Sequence, residues 1–209
     1  MLENPYRILS KSKDKRLQYL TLPCIMVIMR SMRTISRKDL TKKELGFFLA
    51  GFVEGEGSFN VSLRRKPDYK LKWQVVMSFN VSQKDPTLLG ILKEVLKCGI
   101  IKIRKKDNLY SFDATNPKDI IQKIIPYFQK YPVQSDSKKK NFSIFCQIAK
   151  LMEKEEHRNP NGLKLILKLR EKINEGKGRT RKYGIHNVFS KSGILRGYTS
   201  TSQSNRDMI

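Results

Sequence analysis

Apolar residues change their period between residues 41 and 62 (TKKELGFFLAGFVEGEGSFNVS). Before residue 57 they recur at helical spacing, which predicts a helix with one buried face: Leu45, Phe48, Leu49 and Phe52. From Gly57 the period falls to two, which predicts a strand. Gly51 and Gly55 lie four apart in the helix, where each costs ~1 kcal/mol relative to alanine. We therefore expect another helix to approach closely at this bare stripe.

A second strand is predicted over residues 70–82, after a turn at residues 65–69. One set of alternating side chains is apolar and predicts the core face: Trp73, Val75, Met77, Phe79 and Val81. The other set is mostly polar or basic: Lys72, Gln74, Val76, Ser78, Asn80 and Ser82. This alternation is typical of an antiparallel sheet with one solvated face.

The remaining pattern alternates helices with one more hairpin. We predict a helix from Asp85 to Gly99, a hairpin over residues 101–113, a helix from Asn116 to about Pro126, a helix opening at Ser137, and a last helix over about residues 161–175. The order predicts an α+β fold with a four-stranded antiparallel sheet and extra C-terminal helices. Residues 1–40 are interpreted as a basic N-terminal extension, residues 41–183 as the main domain, and residues 184–209 as a basic, serine-rich, mobile tail.

Composition narrows the class of partner. The chain has 209 residues, with 43 Lys and Arg against 19 Asp and Glu, giving a net charge of +24. Such a field favours nucleic acid first and anionic membrane second. The apolar run of residues 20–29 is too short to span a bilayer and is interrupted by Pro23, so no membrane partner is predicted.

The few histidines and cysteines narrow the chemistry. Only two histidines are present, which argues against nucleases and zinc sites built on clustered histidines. Metal chemistry would rest on carboxylates, which suit a hard ion such as Mg²⁺. Three cysteines without paired spacing are interpreted as reduced thiols of an intracellular protein.

Residues 49–57 (LAGFVEGEG), followed by Ser-Phe-Asn-Val-Ser, resemble the LAGLIDADG motif of homing endonucleases. The small residues, the carboxylates and the change to a strand all fall in register with it. The resemblance covers about residues 41–183 and implies an αββαββα core whose sheet is curved as a saddle over DNA. The alternative interpretation is an ordinary amphipathic helix in which the two glycines have no functional role.

The motif occurs once in this chain, which bears on its assembly. One four-stranded sheet spans only half of a long DNA site, and the motif helix has no internal partner. The resemblance implies a homodimer of the single-motif type, packed along a two-fold axis. The residues expected in that interface are Phe47, Ala50, Gly51 and Gly55.

The resemblance also implies an active site. Glu56, the last acid of the motif, is the expected catalytic metal ligand, although the family more often has aspartate there. Glu54 is assigned a supporting or helix-end role, with a solvated charge as the alternative. Gln83 matches the position of a glutamine that, in this family, orients solvent near the metal ions. Lys138 and Lys139 match a lysine that could stabilise phosphate charge, and the sequence leaves open which lysine enters the site.

The expected cofactor is Mg²⁺, with Mn²⁺ able to substitute and Ca²⁺ supporting binding without cleavage. The expected DNA contacts come from the polar faces of both hairpins, where side chains can read base edges in a major groove. They are Ser58, Asn60, Ser62, Arg64, Lys66, Lys70, Lys72, Gln74, Val76, Ser78, Asn80, Lys102, Arg104, Ser111 and Asp113.

These features favour an intron-encoded, site-specific endonuclease that cuts double-stranded DNA at a long, near-palindromic site, in a chloroplast or mitochondrion. One alternative is an intron RNA maturase of the same fold, which would not need the acids. Another is a catalytically inactive DNA-binding protein. A loose PD…DxK nuclease pattern, Pro67-Asp68 with Asp136-Ser137-Lys138, is a third, but Asp68 is better explained by turn chemistry.

Overall fold

The computed structural model describes residues 40–175 and 181–189. Contacts divide the chain into residues 1–42 and residues 43–209. The account below concerns the second unit, together with Lys42, the first residue of its leading helix. The predictions for residues 1–39 and 190–209 lie outside the described residues. No helix in the described ranges is long and apolar enough to cross a membrane.

The elements follow the predicted order. They are α1 (Lys42–Glu56), β1 (Gly57–Arg65), β2 (Trp73–Gln83), α2 (Thr87–Leu96), β3 (Ile100–Arg104), β4 (Leu109–Ala114), α3 (residues 117–130), α4 (Asp136–Glu153), α5 (Pro160–Glu171) and α6 (Ile185–Phe189). The four strands form one antiparallel sheet in the order β1-β2-β4-β3. The α+β prediction is therefore confirmed.

The sheet register separates an apolar face from a polar one. Gly57 pairs with Val81 and Arg65 with Trp73, so the odd-numbered residues of β1 and β2 lie on one face. That face carries several of the largest fully buried side chains, including Phe59 and Phe79, which the helices cover. The predicted core face of β2 is buried throughout. The opposite, outer face keeps the polar residues partly or fully exposed, apart from the buried Ser78.

The orientation of α1 differs from the prediction. Its buried residues are Gly46, Leu49, Ala50 and Val53, and Phe48 is 49% exposed. Within the described residues, the glycine of α1 that a neighbouring side chain approaches closely is Gly46, and not Gly51 or Gly55, because a Cβ atom at Gly46 would lie 2.4 Å from the Tyr131 ring. Phe48 was wrongly assigned to the core because α1 is apolar on more than one side, and the helical period does not say which side packs inward.

Pro126 does not end α3 as predicted. The helix continues to Lys130 through a π-helical segment, Ile120–Ile124, in which the Ile125 N–H donates to the Ile120 carbonyl. This i→i+5 turn adjusts the helix just before the proline, which has no N–H to donate. Ile120, Ile124 and Phe128 all stay in the core as a result.

Other boundaries move by a few residues. Lys66 lies in the turn between β1 and β2, as predicted, but this turn also includes Lys70 and Lys72, which were expected in the strand. The Lys72 ammonium donates to the Pro67 carbonyl at 2.7 Å. α2 ends at Leu96 with Lys97 in a left-handed cap, ahead of the predicted Gly99. Ile103, which alternates in β3 with the candidate DNA contacts Lys102 and Arg104, is itself 47% exposed.

β1 is an edge strand, and side chains cover its outer edge. The carbonyl of Gly57 accepts from Lys138 Nζ at 2.5 Å, and that of Phe59 from Asn174 Nδ2 at 3.0 Å. The carbonyl of Val61 accepts from Arg170 Nε at 2.9 Å. Three alternate acceptors are thus satisfied without another strand, which protects the edge from pairing with a second chain.

The chain stays packed on the domain at Tyr183, the last residue of the predicted main domain, and into residues 184–189 of the predicted tail. Tyr183 packs edge-on against Trp73, with ring centroids 5.0 Å apart. Its carbonyl accepts a hydrogen bond from Arg170 at 2.8 Å. The short helix α6 follows, and Val188 within it is fully buried. Ile185 and Phe189 pack partly buried beside it, but a helix of five residues is too short to give a periodic signal in the sequence.

Candidate functional site

The junction between α1 and β1 presents one exposed carboxylate. Glu56 is the last residue of α1 and is exposed to solvent. Gly57 follows as the first residue of β1 and is buried. A Cβ atom at Gly57 would lie 2.5 Å from the Val53 side chain and 2.7 Å from its carbonyl oxygen. Only glycine fits this turn, which directs Glu56 away from the core.

Lys138 lies at the same junction. Its ammonium donates to the Gly57 carbonyl, one residue after Glu56. Burial lowers the pKa of Lys138, while the nearby charge of Glu54 acts in the opposite direction. Lys139 is exposed, and Lys140 pairs instead with Glu175 at 2.8 Å. Of the three consecutive lysines, Lys138 is therefore the one held next to the motif.

Glu54 links the end of α1 to the start of α4. Its carboxylate accepts hydrogen bonds from the Gln134 backbone N–H at 2.7 Å and from the Ser135 hydroxyl. Ser135 is also the N-cap of α4. Partial burial raises the pKa of Glu54, but these bonds and the charge of Lys138 outweigh it, and the pKa is lowered. Glu54 is thus a structural link and not a solvated charge.

Gln83 lies at the corresponding end of the sheet. Gly57 pairs with Val81, so Gln83 extends two residues beyond the last pair with β1, on the side where α1 enters. Its side-chain carbonyl accepts from the Lys84 N–H at 3.0 Å, which leaves its amide group as a donor. The register therefore brings Gln83 to the same end of the sheet as Glu56.

One face of α1 is exposed and unusually bare. Phe47 is 45% exposed, and Gly51 and Gly55 are exposed at four-residue intervals beyond it. A Cβ atom at either glycine would meet no atom of the described residues within 4 Å. Ala50, by contrast, is 3% exposed and already packs inside this chain. The predicted interface set therefore divides into three exposed residues and one buried residue.

The outer sheet face brings together polar residues from all four strands. Cross-strand rows are Ser58–Asn80–Asp113–Ile100, Ser82–Ser111–Lys102, Asn60–Ser78, Ser62–Val76 and Arg64–Gln74. Ile100 and Ser82 were missed as candidate contacts. Ile100 is 52% exposed on this face, and its parity with Lys102 and Arg104 could have indicated it. An exposed isoleucine here can contact a thymine methyl group.

The carboxylates of the described residues do not form a complete metal cage. No group of three His, Cys, Asp or Glu side chains with metal-binding geometry occurs within residues 40–175 and 181–189. Glu56 is still a suitable ligand for a hard cation. Mg²⁺ is commonly held by one or two carboxylates together with waters and substrate phosphates. The donor chemistry of this junction therefore fits Mg²⁺ shared with a phosphodiester and a second carboxylate.

The family model of the LAGLIDADG endonucleases matches residues 49–149. The match runs from α1 through most of α4 and includes Glu54, Glu56, Gln83 and Lys138. The chain belongs to the LAGLIDADG endonuclease family.

Named relatives agree with this assignment. The chain is 33% identical over 138 residues to probable intron-encoded endonuclease 2 of Neurospora crassa, covering 65% of this chain and 30% of that protein. It is 27% identical over 179 residues to DNA endonuclease I-CeuI of Chlamydomonas moewusii, covering 83% and 81%. A structure of I-SmaMI bound to uncleaved target DNA in the presence of calcium ions matches 64% of this chain and 46% of that one, with 31% identity and a TM-score of 0.59.

The matched lengths differ between relatives. The chain spans less than a third of the length of the two Neurospora endonucleases that it matches. It spans most of I-CeuI but only about half of the I-SmaMI chain. What these proteins do as wholes therefore comes to this chain only as a proposal.

Proposed function

We propose that the chain is a site-specific, divalent-metal-dependent DNA endonuclease that acts as a homodimer. It would cut both strands of a long, near-palindromic duplex across the minor groove and leave 3′ overhangs. The observation that carries the proposal is the α1–β1 junction. An exposed glutamate ends a helix whose outer face is bare, beside a lysine held by the same turn.

The homodimer is supported by the exposed face of α1. Gly51 and Gly55 cost helix stability and gain no contact in return among the described residues, since none of these lies within 4 Å of a Cβ atom at either position. A second copy of α1 packed there would use the close approach that glycine permits. The match to about half of the I-SmaMI chain is consistent with this, because that chain has room for a second such unit.

The same pairing would complete the active site. Two α1 helices packed side by side would end together and bring two Glu56 carboxylates near one another. Bound Mg²⁺ would activate water and stabilise the charge that develops on the oxygens of the scissile phosphate. Each chain supplies Glu56 to hold it. Gln83 would orient water through its free amide, and Lys138 would stabilise the developing phosphate charge.

DNA recognition is supported by the outer sheet face and by the charge of the chain. The rows of the face combine amides, hydroxyls, Lys102 and Arg104, which suit base edges. Lys66, Lys70 and Lys72 extend it at the β1–β2 turn, where they would contact phosphates. The net charge of +24 favours association with duplex DNA. A chloroplast or mitochondrial location stays a prediction, supported only by the intron-encoded relative from Neurospora.

The direct test is cleavage of a duplex that carries the host gene without its intron. We expect a double-strand break with 3′ overhangs in Mg²⁺ or Mn²⁺, protein-bound but intact DNA in Ca²⁺, and no cleavage with chelator. Folded protein that leaves this duplex intact in Mg²⁺ would overturn the endonuclease proposal. Specific binding without cleavage would favour an inactive DNA-binding protein, and assistance to splicing that needs no acid would favour a maturase.

Replacing Lys138 by methionine is expected to slow cleavage with little loss of binding. Removing one group that stabilises transition-state charge costs roughly 10²–10³-fold in rate. Lys140→Met is the matched control. It removes the same charge two residues further along the helix, and Lys140 pairs with Glu175 and not with the α1–β1 junction. Single-turnover cleavage should fall only in Lys138→Met, while binding in Ca²⁺ should fall equally in both. Equal cleavage rates for the two variants would exclude a specific role for Lys138.

A further inference from the structure

Asp113 is the only acid within the four strands, and it lies on the outer face of the sheet. Its side chain is 16% exposed. One carboxylate oxygen accepts from the Ser111 hydroxyl at 2.6 Å and from Asn80 Nδ2 at 2.6 Å. The other lies 3.1 Å from Lys102 Nζ. Candidate DNA contacts from β2, β3 and β4 thus converge on a single side chain.

The charge of Asp113 decides how its neighbours can bond. Burial raises its pKa, but the hydrogen bonds from Ser111 and Asn80 and the ammonium of Lys102 outweigh burial and lower it. An ionised carboxylate only accepts hydrogen bonds. Asn80 must therefore turn its NH₂ group toward Asp113, which removes the usual ambiguity between amide nitrogen and oxygen.

Because Ser111 and Asn80 both donate to Asp113, their remaining hydrogen-bonding groups have a fixed polarity, that is, a fixed role as donor or acceptor. Ser111 gives its only proton to Asp113, so its hydroxyl can face a ligand only as an acceptor. Asn80 keeps its carbonyl and one N–H. Acceptors on a protein match the exocyclic amino groups of adenine and cytosine in the major groove, and an amide matches adenine at two atoms.

We propose that Asp113 is a specificity-determining positioning residue, which makes Ser111 and Asn80 prefer bases with an exocyclic amino group at one or two positions of each half-site. The proposal rests on the proposed function, because it assumes that the outer sheet face lies against DNA bases. Asp113 acts through its neighbours and need not contact a base. A neutral amide in its place could donate as well as accept, and the fixed polarity would be lost.

The test compares Asp113→Asn with Asp119→Asn. Asp119 lies in α3 and pairs with Lys123 at 2.6 Å, so both variants remove one negative charge beside a lysine, and neither Asp119 nor Lys123 is a candidate DNA contact. Each is placed in a Glu56→Gln background, which is meant to keep DNA intact, and is used to select binding sites from a duplex library randomised across the site. Thermal melting of each variant checks its folding.

We expect Asp113→Asn to lose about tenfold in base preference at one or two positions per half-site. Its preferences elsewhere, and all those of Asp119→Asn, should match the parent profile. Ser111→Ala should change preference at an overlapping position, and it serves as the test if Asp113→Asn fails to fold. An unchanged profile, or an equal loss at every position, would overturn the inference alone. If the parent protein enriches no sequence, the proposed function is contradicted and the inference falls with it.

Discussion

Glu56→Gln should abolish DNA cleavage while the protein still folds and binds its target. Glu56 is exposed and ends α1, so a neutral amide of the same size should fit without strain. What is lost is the charged oxygen that would hold the metal. Losing one preorganised electrostatic group costs roughly 10²–10³-fold, and both copies of a homodimer lose it, so no cleavage should be detected. Single-turnover cleavage in Mg²⁺, with binding measured in Ca²⁺, gives the comparison.

Glu54→Gln is the matched control, because it neutralises the other acid of the same motif. Glu54 accepts bonds from Gln134 and Ser135, so its loss should lower the free energy of unfolding by about 1 kcal/mol. Folding lowers the pKa of Glu54 below its ordinary value of 4.5. Its stabilising contribution is therefore present above about pH 4.5 and is lost as the pH falls through the folded-state pKa. The stabilities of Glu54→Gln and wild type should converge in acid.

The two acids thus predict opposite phenotypes. Glu56→Gln should melt like the wild type and fail to cut, whereas Glu54→Gln should melt earlier and still cut at temperatures where it is folded. Undiminished cleavage by Glu56→Gln would remove the carboxylate from the mechanism. The result would also favour a different nuclease centre from the one proposed here.

The sequence predicted the local elements well because their signals are local. The change of period at Gly57 marks the α1–β1 junction, and parity alone assigns Phe59 to the core and Asn60 to the outer face. Those assignments follow from the pleat of any strand. They hold in the structure because the register continues without interruption from Gly57 to Arg65.

Contacts between distant residues could not be predicted in the same way. Glu54 meets Ser135 across 81 positions, and Lys138 meets Gly57 across the same separation. The sequence narrowed the lysine to a short run, but the choice of Lys138 depends on how α4 packs against β1. The convergence of Asn80, Lys102 and Ser111 on Asp113 likewise needs the pairing of three strands.

Helix α1 shows a different limit of prediction from sequence. It has apolar or small residues on the face that packs into the core and on the face that remains exposed. Periodicity gives the spacing of such stripes but not their partners. The structure resolves this, since Leu49 and Val53 are fully buried while Gly51 and Gly55 face open space. The exposed stripe is what a homodimer would cover, and it gives the second large prediction.

Gly51→Ala is expected to stabilise the isolated chain and to weaken its self-association. In the part of the chain that the structure describes, nothing lies within 4 Å of the new Cβ atom, so the substitution should stabilise α1 by about 0.5–1 kcal/mol. In the dimer the same methyl group would enter a close helix contact. Overpacking costs about 1–3 kcal/mol per site. Two sites per dimer should raise the dissociation constant by at least about 30-fold, and cleavage should fall with the dimer population.

Gly90→Ala is the matched control for this prediction. Gly90 lies within α2, and a Cβ atom there also meets nothing within 4 Å. Both variants should melt later than the wild type at concentrations where the protein is monomeric, because both gain helix propensity. Sedimentation velocity and cleavage at the same concentrations should then separate them, since only Gly51→Ala alters the proposed interface. If Gly51→Ala dimerises and cuts as well as Gly90→Ala does, the exposed face of α1 is not the subunit interface, and the two Glu56 carboxylates would not meet there.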